Sequence, residues 1–547
     1  MRWTRRAFFP LLATGALRAQ NAPGMVSASH PLAIEAGEAA LRQGANALEA
    51  TVVASAVLAV VEPFASGPGG GGFLLLESPY AEVALSVDSR ASAPAAASAR
   101  MFRGLSPEEI ESGGLAIGVP GTPLCWRRAI ALSTEHLHGR MTLTEALQPA
   151  IRLARDGFPV SDTFAAAIDR HKDRLSRNAE ARRLFVDPAC RPGATATNPD
   201  LANTLAALES VFYRGTMATA LTDTVRETGG RIVAEDLRFY DVHYRTALQG
   251  SYRGRRIAAT PAPASGYVLL QLLHLYEGFP IGGPNFGWMD TNTVHAALEC
   301  MKLAYADKAA FLADPDAIPV PENELASKEY AATRRNLISL ERSLPQGVPR
   351  GEPLQDSQRS TTHLCVIDAA GWRVSYTSTL GSLFGAAIAA PGTGFLLNNS
   401  LAAFNIAGIG PNAPAAFKRP ASAVCPFSLS DPLGRPLLIG GAAGGNRIPA
   451  ILFRMISGVV DHGRNAQQVA EAPRIVNENR IAGASVSDTR IEPAPYAMPA
   501  SLLDELRARG QTVLPNTLPF GSAHLISIDP ATGRLQRGVD PRRDREF

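Results

Sequence analysis

Long apolar runs, metal-ligand spacings and charge are all scarce in this 547-residue chain. No run reaches the roughly 20 apolar residues of a membrane-spanning helix without a charge or a proline, so no stable membrane insertion is expected. Five cysteines (Cys125, Cys190, Cys300, Cys365, Cys425) are widely scattered, and their odd number argues against a full disulfide framework. With no Cys-x-x-Cys or His-x-x-x-His pair, neither a metal nor a cofactor is expected. Charged residues are 19%, too few for a solvated coil, while 46% hydrophobic residues suffice for a large core. The formal net charge of +3 includes Arg2, Arg5, Arg6 and Arg18. Without them the chain is close to neutral, which argues against nucleic acid as a partner. The glycine run Gly69–Gly72 lacks the Gly-Lys-Ser/Thr ending of a phosphate loop, and the apolar run Phe73 to Leu76 follows where a helix would be required. It reads as a tight, close-packed turn into a central strand.

Residues 1–19 read as a twin-arginine export signal: Thr4-Arg5-Arg6-Ala7-Phe8-Phe9, a short apolar stretch to Leu17, then Ala19. A periplasmic or secreted protein follows from that reading. Beyond it, His30-Pro31 opens a helix stopped near Gly44, and Asn46 with Glu49 can cap a second, Ala47 to Val60, which is apolar nearly all round and should be buried. Residues from about 140 to 330 look mostly helical. From Ser343 to Arg359 the periodicity disappears among Pro, Gly, Gln and charge, the composition of a surface linker. After Thr361 strands dominate, until Pro449 to Ile456 reads as helix.

The linker ends at Ser360-Thr361-Thr362-His363. Beyond Thr361 an apolar, β-prone run ends in the turn Asp368-Ala369-Ala370-Gly371, and a second run, Arg373 to Thr379, returns. If the loop has three residues with Gly371 left-handed, positions whose numbers sum to 740 face each other, and Thr361 faces Thr379. Threonine is a poor nucleophile unless a base takes its proton. A backbone cut just before it would free an α-amine, with a pKa of roughly 8, within reach of its own Oγ. By itself the stretch reads better as a plain hairpin whose threonines fill β positions.

Context decides for the first reading. Thr361-Thr362-His363, Thr379, Phe384-Gly385, Pro391-Gly392-Thr393-Gly394 and Leu396-Leu397-Asn398-Asn399 together resemble the γ-glutamyltranspeptidase family of N-terminal-nucleophile hydrolases. So do Ile117 to Gly121, Pro261 to Gly266, Met301 to Asp307 and Gly538 to Asp544. The resemblance implies a four-layer α/β/β/α fold and a precursor that cuts itself between Ser360 and Thr361. Residues 20–360 would then be the large subunit and 361–547 the small catalytic one, held as an internal heterodimer.

It also implies roles for single residues. Thr361 would be nucleophile and new N-terminal amine, with Thr379 orienting it. Gly444 and Gly445, between a strand at Leu437 to Gly441 and the helix beyond, would form the oxyanion hole. Arg90 and Ser422 would hold the substrate carboxylate. The sequence departs from the family where the α-ammonium is held, since those positions are Gly381, Ser400 and Ala403, and Ala423 replaces a second serine. Three functions are compatible with this pattern. One is transfer or hydrolysis of γ-glutamyl amides such as glutathione. A second is cleavage of carboxylate-bearing acyl amides without an α-amine (glutaryl or oxamate-like). The third is an uncleaved, non-enzymatic binding protein.

Overall fold

A computed structural model describes residues 24–188, 190–344, 361–479 and 488–545. Residues 1–19, read as an export signal, and Ser360 with most of the stretch read as a linker lie outside the described residues. The first two helices run Pro31–Arg42 (α1) and Ala47–Val61 (α2). Asn46 begins α2 by accepting the N–H groups of Leu48 and Glu49, and the Glu49 carboxylate takes the Asn46 N–H at 3.0 Å. Every residue of α2 is buried, as expected of a helix with no polar face.

Twelve strands make two six-stranded sheets. The first sheet holds β1 (Met25–Ala28), β2 (Gly71–Glu77), β3 (Ala84–Asp88), β4 (His243–Thr246), β7 (Thr362–Ile367) and β8 (Arg373–Thr379), in the order β1-β7-β8-β2-β3-β4. The second holds β5 (Leu248–Tyr252), β6 (Arg255–Ala259), β9 (Phe427–Ser430), β10 (Pro436–Ala442), β11 (Ala523–Ile528) and β12 (Leu535–Val539), in the order β12-β11-β10-β9-β6-β5. All neighbours within these two sheets are antiparallel.

Alternation along the strands sorts the side chains into three packed layers. Leu364, Val366, Val374 and Leu74 face α2, whereas Cys365 and Ile367 meet Ile439 and Ile526 between the sheets. On the far side, Ile257, Phe427, Leu438 and Leu525 face α3 (Gly266–Tyr276), α4 (Thr291–Phe311) and α5 (Ile448–Val460). The result is the α/β/β/α sandwich. Its middle layer also buries charge: Arg373 pairs with Glu77 at 2.8 Å and donates to the hydroxyls of Ser428 and Ser430. Those bonds satisfy the guanidinium, without which burying it would be costly.

Three expectations need correction. Residues 243–259, inside the stretch read as mostly helical, supply β4, β5 and β6. Their short alternation is easily lost between helical segments, and cross-sheet pairing makes them strands. Between Leu380 and Pro426, expected to be strand-rich, the only β-pairing is one isolated bridge, Ala389 to Leu396. Ser343, read as the first residue of a surface linker, is buried and accepts a hydrogen bond from Lys302.

Candidate active site

The β7–β8 hairpin forms as expected. Asp368 N–H donates to the Trp372 carbonyl at 3.0 Å, Gly371 is left-handed (φ 86°), and the pairs run from Arg373 opposite Ile367 to Ser378 opposite Thr362. One step further the Thr361 hydroxyl donates to Thr379 Oγ1 at 3.3 Å. Thr379 Oγ1 also accepts the Gly381 N–H at 2.9 Å. Both threonines are buried.

Thr379 lies opposite Gly71 on the neighbouring β2. A Cβ on Gly71 would stand 2.5 Å from the Ser89 carbonyl oxygen, so only glycine lets the backbone of Ser89-Arg90 come this close. Gly69, Gly70 and Gly72 abut backbone just as closely, which accounts for the run. Arg90, 3% exposed, is anchored by its N–H to Asp88 Oδ1 (2.9 Å), and its Nε donates to the Pro420 carbonyl at 3.4 Å. Two residues on, Ser422 is buried and its Oγ accepts the Val424 N–H. The structure thus brings Thr361, Thr379, Arg90 and Ser422 into one neighbourhood through β2 and β8.

His363 lies on the same face of its strand as Thr361. Its Nδ1 meets Thr377 Oγ1 at 2.8 Å, and its ring fills the space where a Cβ on Gly441 would sit. Burial, and then the neighbouring His524, hold it well below the usual histidine range, so it carries no charge there. Gly441 leads through Ala442 and Ala443 to Gly444 (φ 142°) and Gly445 (φ 61°), half-buried before α5. The Ala443 N–H is taken by the Ser522 carbonyl at 2.7 Å. The N–H groups of Gly444 and Gly445 meet no acceptor among the described residues. Two bare donors beside a helix N-terminus can receive a negative oxygen.

The family profile described as Gamma-glutamyltranspeptidase matches residues 33–547. The chain belongs to that family. The glutathione hydrolase proenzyme of Bacillus subtilis (strain 168) is 32% identical over 549 residues, covering 95% of this chain and 90% of the relative. The acylase ACY 1 proenzyme of Pseudomonas sp. (strain V22) is 33% identical over 531 residues, covering 94% and 91%. Among solved structures, cephalosporin acylase from Bacillus halodurans superposes with a TM-score of 0.81 at 26% identity, covering 100% of this chain and 98% of that one. The chain is therefore an amide hydrolase or acyltransferase of the γ-glutamyltranspeptidase family with the N-terminal-nucleophile hydrolase fold.

Gly381, Ser400 and Ala403 are buried in this family member, and the reason for the glycine is visible. At φ 100° a Cβ would stand 2.2 Å from Asn399 Oδ1. The Asn399 amide is itself engaged, accepting the Ser382 N–H at 2.8 Å and donating to the Glu111 carbonyl at 3.0 Å. The Glu111 carboxylate lies 3.3 Å from Arg174, whose guanidinium also donates to the Leu383 and Gly385 carbonyls.

Sequence reasoning missed a second cluster behind Thr361. Thr362 Oγ1 donates to Glu62 Oε2 at 3.0 Å, Ser29 Oγ donates to the same oxygen at 2.7 Å, and Arg543 holds both carboxylate oxygens at 3.1 and 2.7 Å. Burial opposes ionisation of Glu62, but the charge and hydrogen bonds of Arg543, with Ser29, outweigh it and lower the pKa to about 2. The available signal was an acid directly after an apolar helix and a paired arginine near the C-terminus. Among the described residues no group of His, Cys, Asp or Glu is arranged to hold a metal, and no helix is long and apolar enough to cross a membrane.

Proposed function

We propose that this family member is an exported, self-processing N-terminal threonine hydrolase. In the precursor, Thr361 Oγ attacks the Ser360 carbonyl, the peptide nitrogen leaves, and water opens the resulting ester. Residues 20–360 and 361–547 then stay together as large and small subunits. The freed amine of Thr361 takes the proton from its own Oγ as that oxygen attacks the substrate amide, and Thr379 orients the hydroxyl. Gly444 and Gly445 receive the oxyanion, the amine product departs with the proton, and water or a second amine releases the acyl group from Thr361. Arg90 and Ser422 hold the carboxylate of the acyl group. The observation that carries this reading is the pair of glycine N–H groups, unengaged among the described residues, beyond the strand end that packs against the Thr361 hairpin.

Cleavage of γ-glutamyl amides, glutathione among them, is the first reading of the substrate. A second is favoured by a specific observation: the Asn399 amide fills the Gly381 side-chain space and spends both its groups on backbone. None of Gly381, Ser400 and Ala403 brings a charge to an α-ammonium, so carboxylate-bearing acyl groups without an α-amine fit better. Relatives named glutathione hydrolase and acylase stand at nearly equal identity, and the family alone does not choose between them.

Intact mass and N-terminal sequencing of the purified protein test the processing step. The wild type should give two fragments, one beginning at Thr361, and should hydrolyse γ-glutamyl or glutaryl p-nitroanilide. Thr361→Ala should remain one inactive chain. Fragments with that same terminus from Thr361→Ala would refute self-cleavage by the threonine hydroxyl, and an uncut wild type would favour the binding-protein reading.

A further inference from the structure

A turn built on two glycines in positive-φ conformations has little stiffness of its own, so contacts from outside must fix where its N–H groups point. Asn446, the next residue, is held from α4. Its backbone carbonyl accepts the Tyr305 hydroxyl at 2.7 Å, and its side-chain carbonyl accepts the Lys308 ammonium. Tyr305 and Lys308 lie three residues apart, on one face of the helix, and the ammonium also sits 5.1 Å over the tyrosine ring. Both are buried, at 3% and 5% exposure. The residue following Asn446, Arg447, lies over the Phe520 ring, 4.9 Å from its centroid, with its Nε 3.5 Å from the Glu478 carboxylate. The turn is thus held at Asn446 and Arg447, yet its two N–H groups stay unengaged among the described residues.

We infer that Lys308 and Tyr305 are positioning residues for the oxyanion. Tyr305 fixes the Asn446–Arg447 peptide, the second after Gly445, and Lys308 fixes the Asn446 side chain while placing a positive charge behind the turn. The inference rests on the assignment of Gly444 and Gly445 given above. Preorganised donors assist only charge that develops in the transition state. The electrostatic gain should therefore appear in turnover rather than in ground-state binding. Neither residue need touch substrate. Both come from the segment before Thr361, and the glycines come from the segment after it, so the large subunit would set the geometry of the small subunit's oxyanion site.

The test uses processed wild type, Tyr305→Phe, Lys308→Met and Lys308→Arg, assayed with γ-glutamyl and glutaryl p-nitroanilides. Lys308→Met should lower kcat by about a hundredfold, the lower end of the losses on removing an oxyanion donor, and Tyr305→Phe by about tenfold, less because it acts through Asn446. KM should stay within about twofold, as for an interaction made only in the transition state. Lys308→Arg should recover most of the loss. A boronic acid bearing the same acyl chain, which mimics the tetrahedral state, should lose affinity in parallel with kcat/KM. The carboxylate product should bind as before. Unchanged kcat in Tyr305→Phe, or a loss confined to KM, would overturn the inference. If Lys308→Met does not fold, Tyr305→Phe, which deletes one oxygen, decides alone. Wild type inactive on both amides would instead sink the assignment of the site itself.

Discussion

Two groups of residues border Thr361 and treat charge in opposite ways. In one, Glu62 and Arg543 pair behind Thr362, and Asp88 and Arg419 pair at 3.1 Å beside Arg90, all of them buried. In the other, Gly381, Asn399, Ser400 and Ala403 are equally buried and carry no charge. Burial therefore does not separate the two groups. In the first each charge meets an opposite partner within hydrogen-bond distance, whereas the second has nothing that would hold a buried ammonium. A pocket between them should grip a carboxylate firmly and discriminate poorly on the amine.

Removing a partner from the charged group is the strongest way to test the contrast. Glu62→Gln leaves Arg543 buried without its counter-charge, a loss of about 3–5 kcal/mol in comparable pairs. The folded pKa of Glu62 lies near 2, below its ordinary value of 4.5. Its contribution of about 3 kcal/mol is then complete above pH 4.5 and disappears as pH falls toward 2. Denaturant midpoints from pH 7 to pH 2.5 should thus fall steeply for the wild type and less for Glu62→Gln. Parallel pH profiles would show that the pair does not stabilise the fold.

Arg90→Ala should cost about 2 kcal/mol or more of transition-state binding, roughly 30-fold in kcat/KM, on carboxylate-bearing amides. Self-cleavage, which involves no substrate carboxylate, should remain intact by intact mass. An unchanged kcat/KM with normal processing would take Arg90 out of the site and remove the charged half of the comparison.

Gly381→Asn sharpens the uncharged half. The substitution puts an amide side chain at this position, but at φ 100° and with Asn399 in the way it should destabilise the protein by about 1–3 kcal/mol. No preference for γ-glutamyl substrates should appear. Such a preference without loss of thermal stability would show that Asn399 yields the space and that the glycine alone sets specificity.

How much of this was legible in the sequence depends on the range of each interaction. The β7–β8 register, the capped and buried α2 and the glycine run are local patterns, and each formed as the residues suggested. Long-range partnerships were not legible. Glu62 and Arg543 are 481 positions apart, and Lys308 and Asn446 are 138 apart. Neither member of either pair shows a local anomaly that names its partner. The short strands β4 to β6 were hidden for the same reason, since pairing with β3 and β9 defines them rather than their own composition. The departure at Gly381 was visible as a residue difference, but its cause, the Asn399 amide lodged in the side-chain space, required the fold.

The smallest expected effect is also the most informative about substrate. A charged, hydrogen-bonded partner typically contributes about 2–5 kcal/mol when its removal leaves the other group buried. An enzyme with acidic or amide partners for the α-ammonium should therefore strongly disfavour a glutaryl amide against the matching γ-glutamyl amide. Here Gly381 and Ala403 offer no side-chain polar atom, Ser400 offers only a neutral hydroxyl, and the Asn399 amide is engaged with backbone. Glu111, whose backbone carbonyl takes the Asn399 amide, has its carboxylate against Arg174. Deleting the amine should then cost little, and the processed protein should treat the two amides within roughly tenfold, about 1.4 kcal/mol, or prefer glutaryl. Steady-state kcat/KM on the paired p-nitroanilides decides it. A preference for γ-glutamyl of about a thousandfold, some 4 kcal/mol, would mean that Glu111 leaves Arg174 for the substrate or that another group takes the ammonium. The two groups around Thr361 would then differ in their resting structures but not in what they recognise.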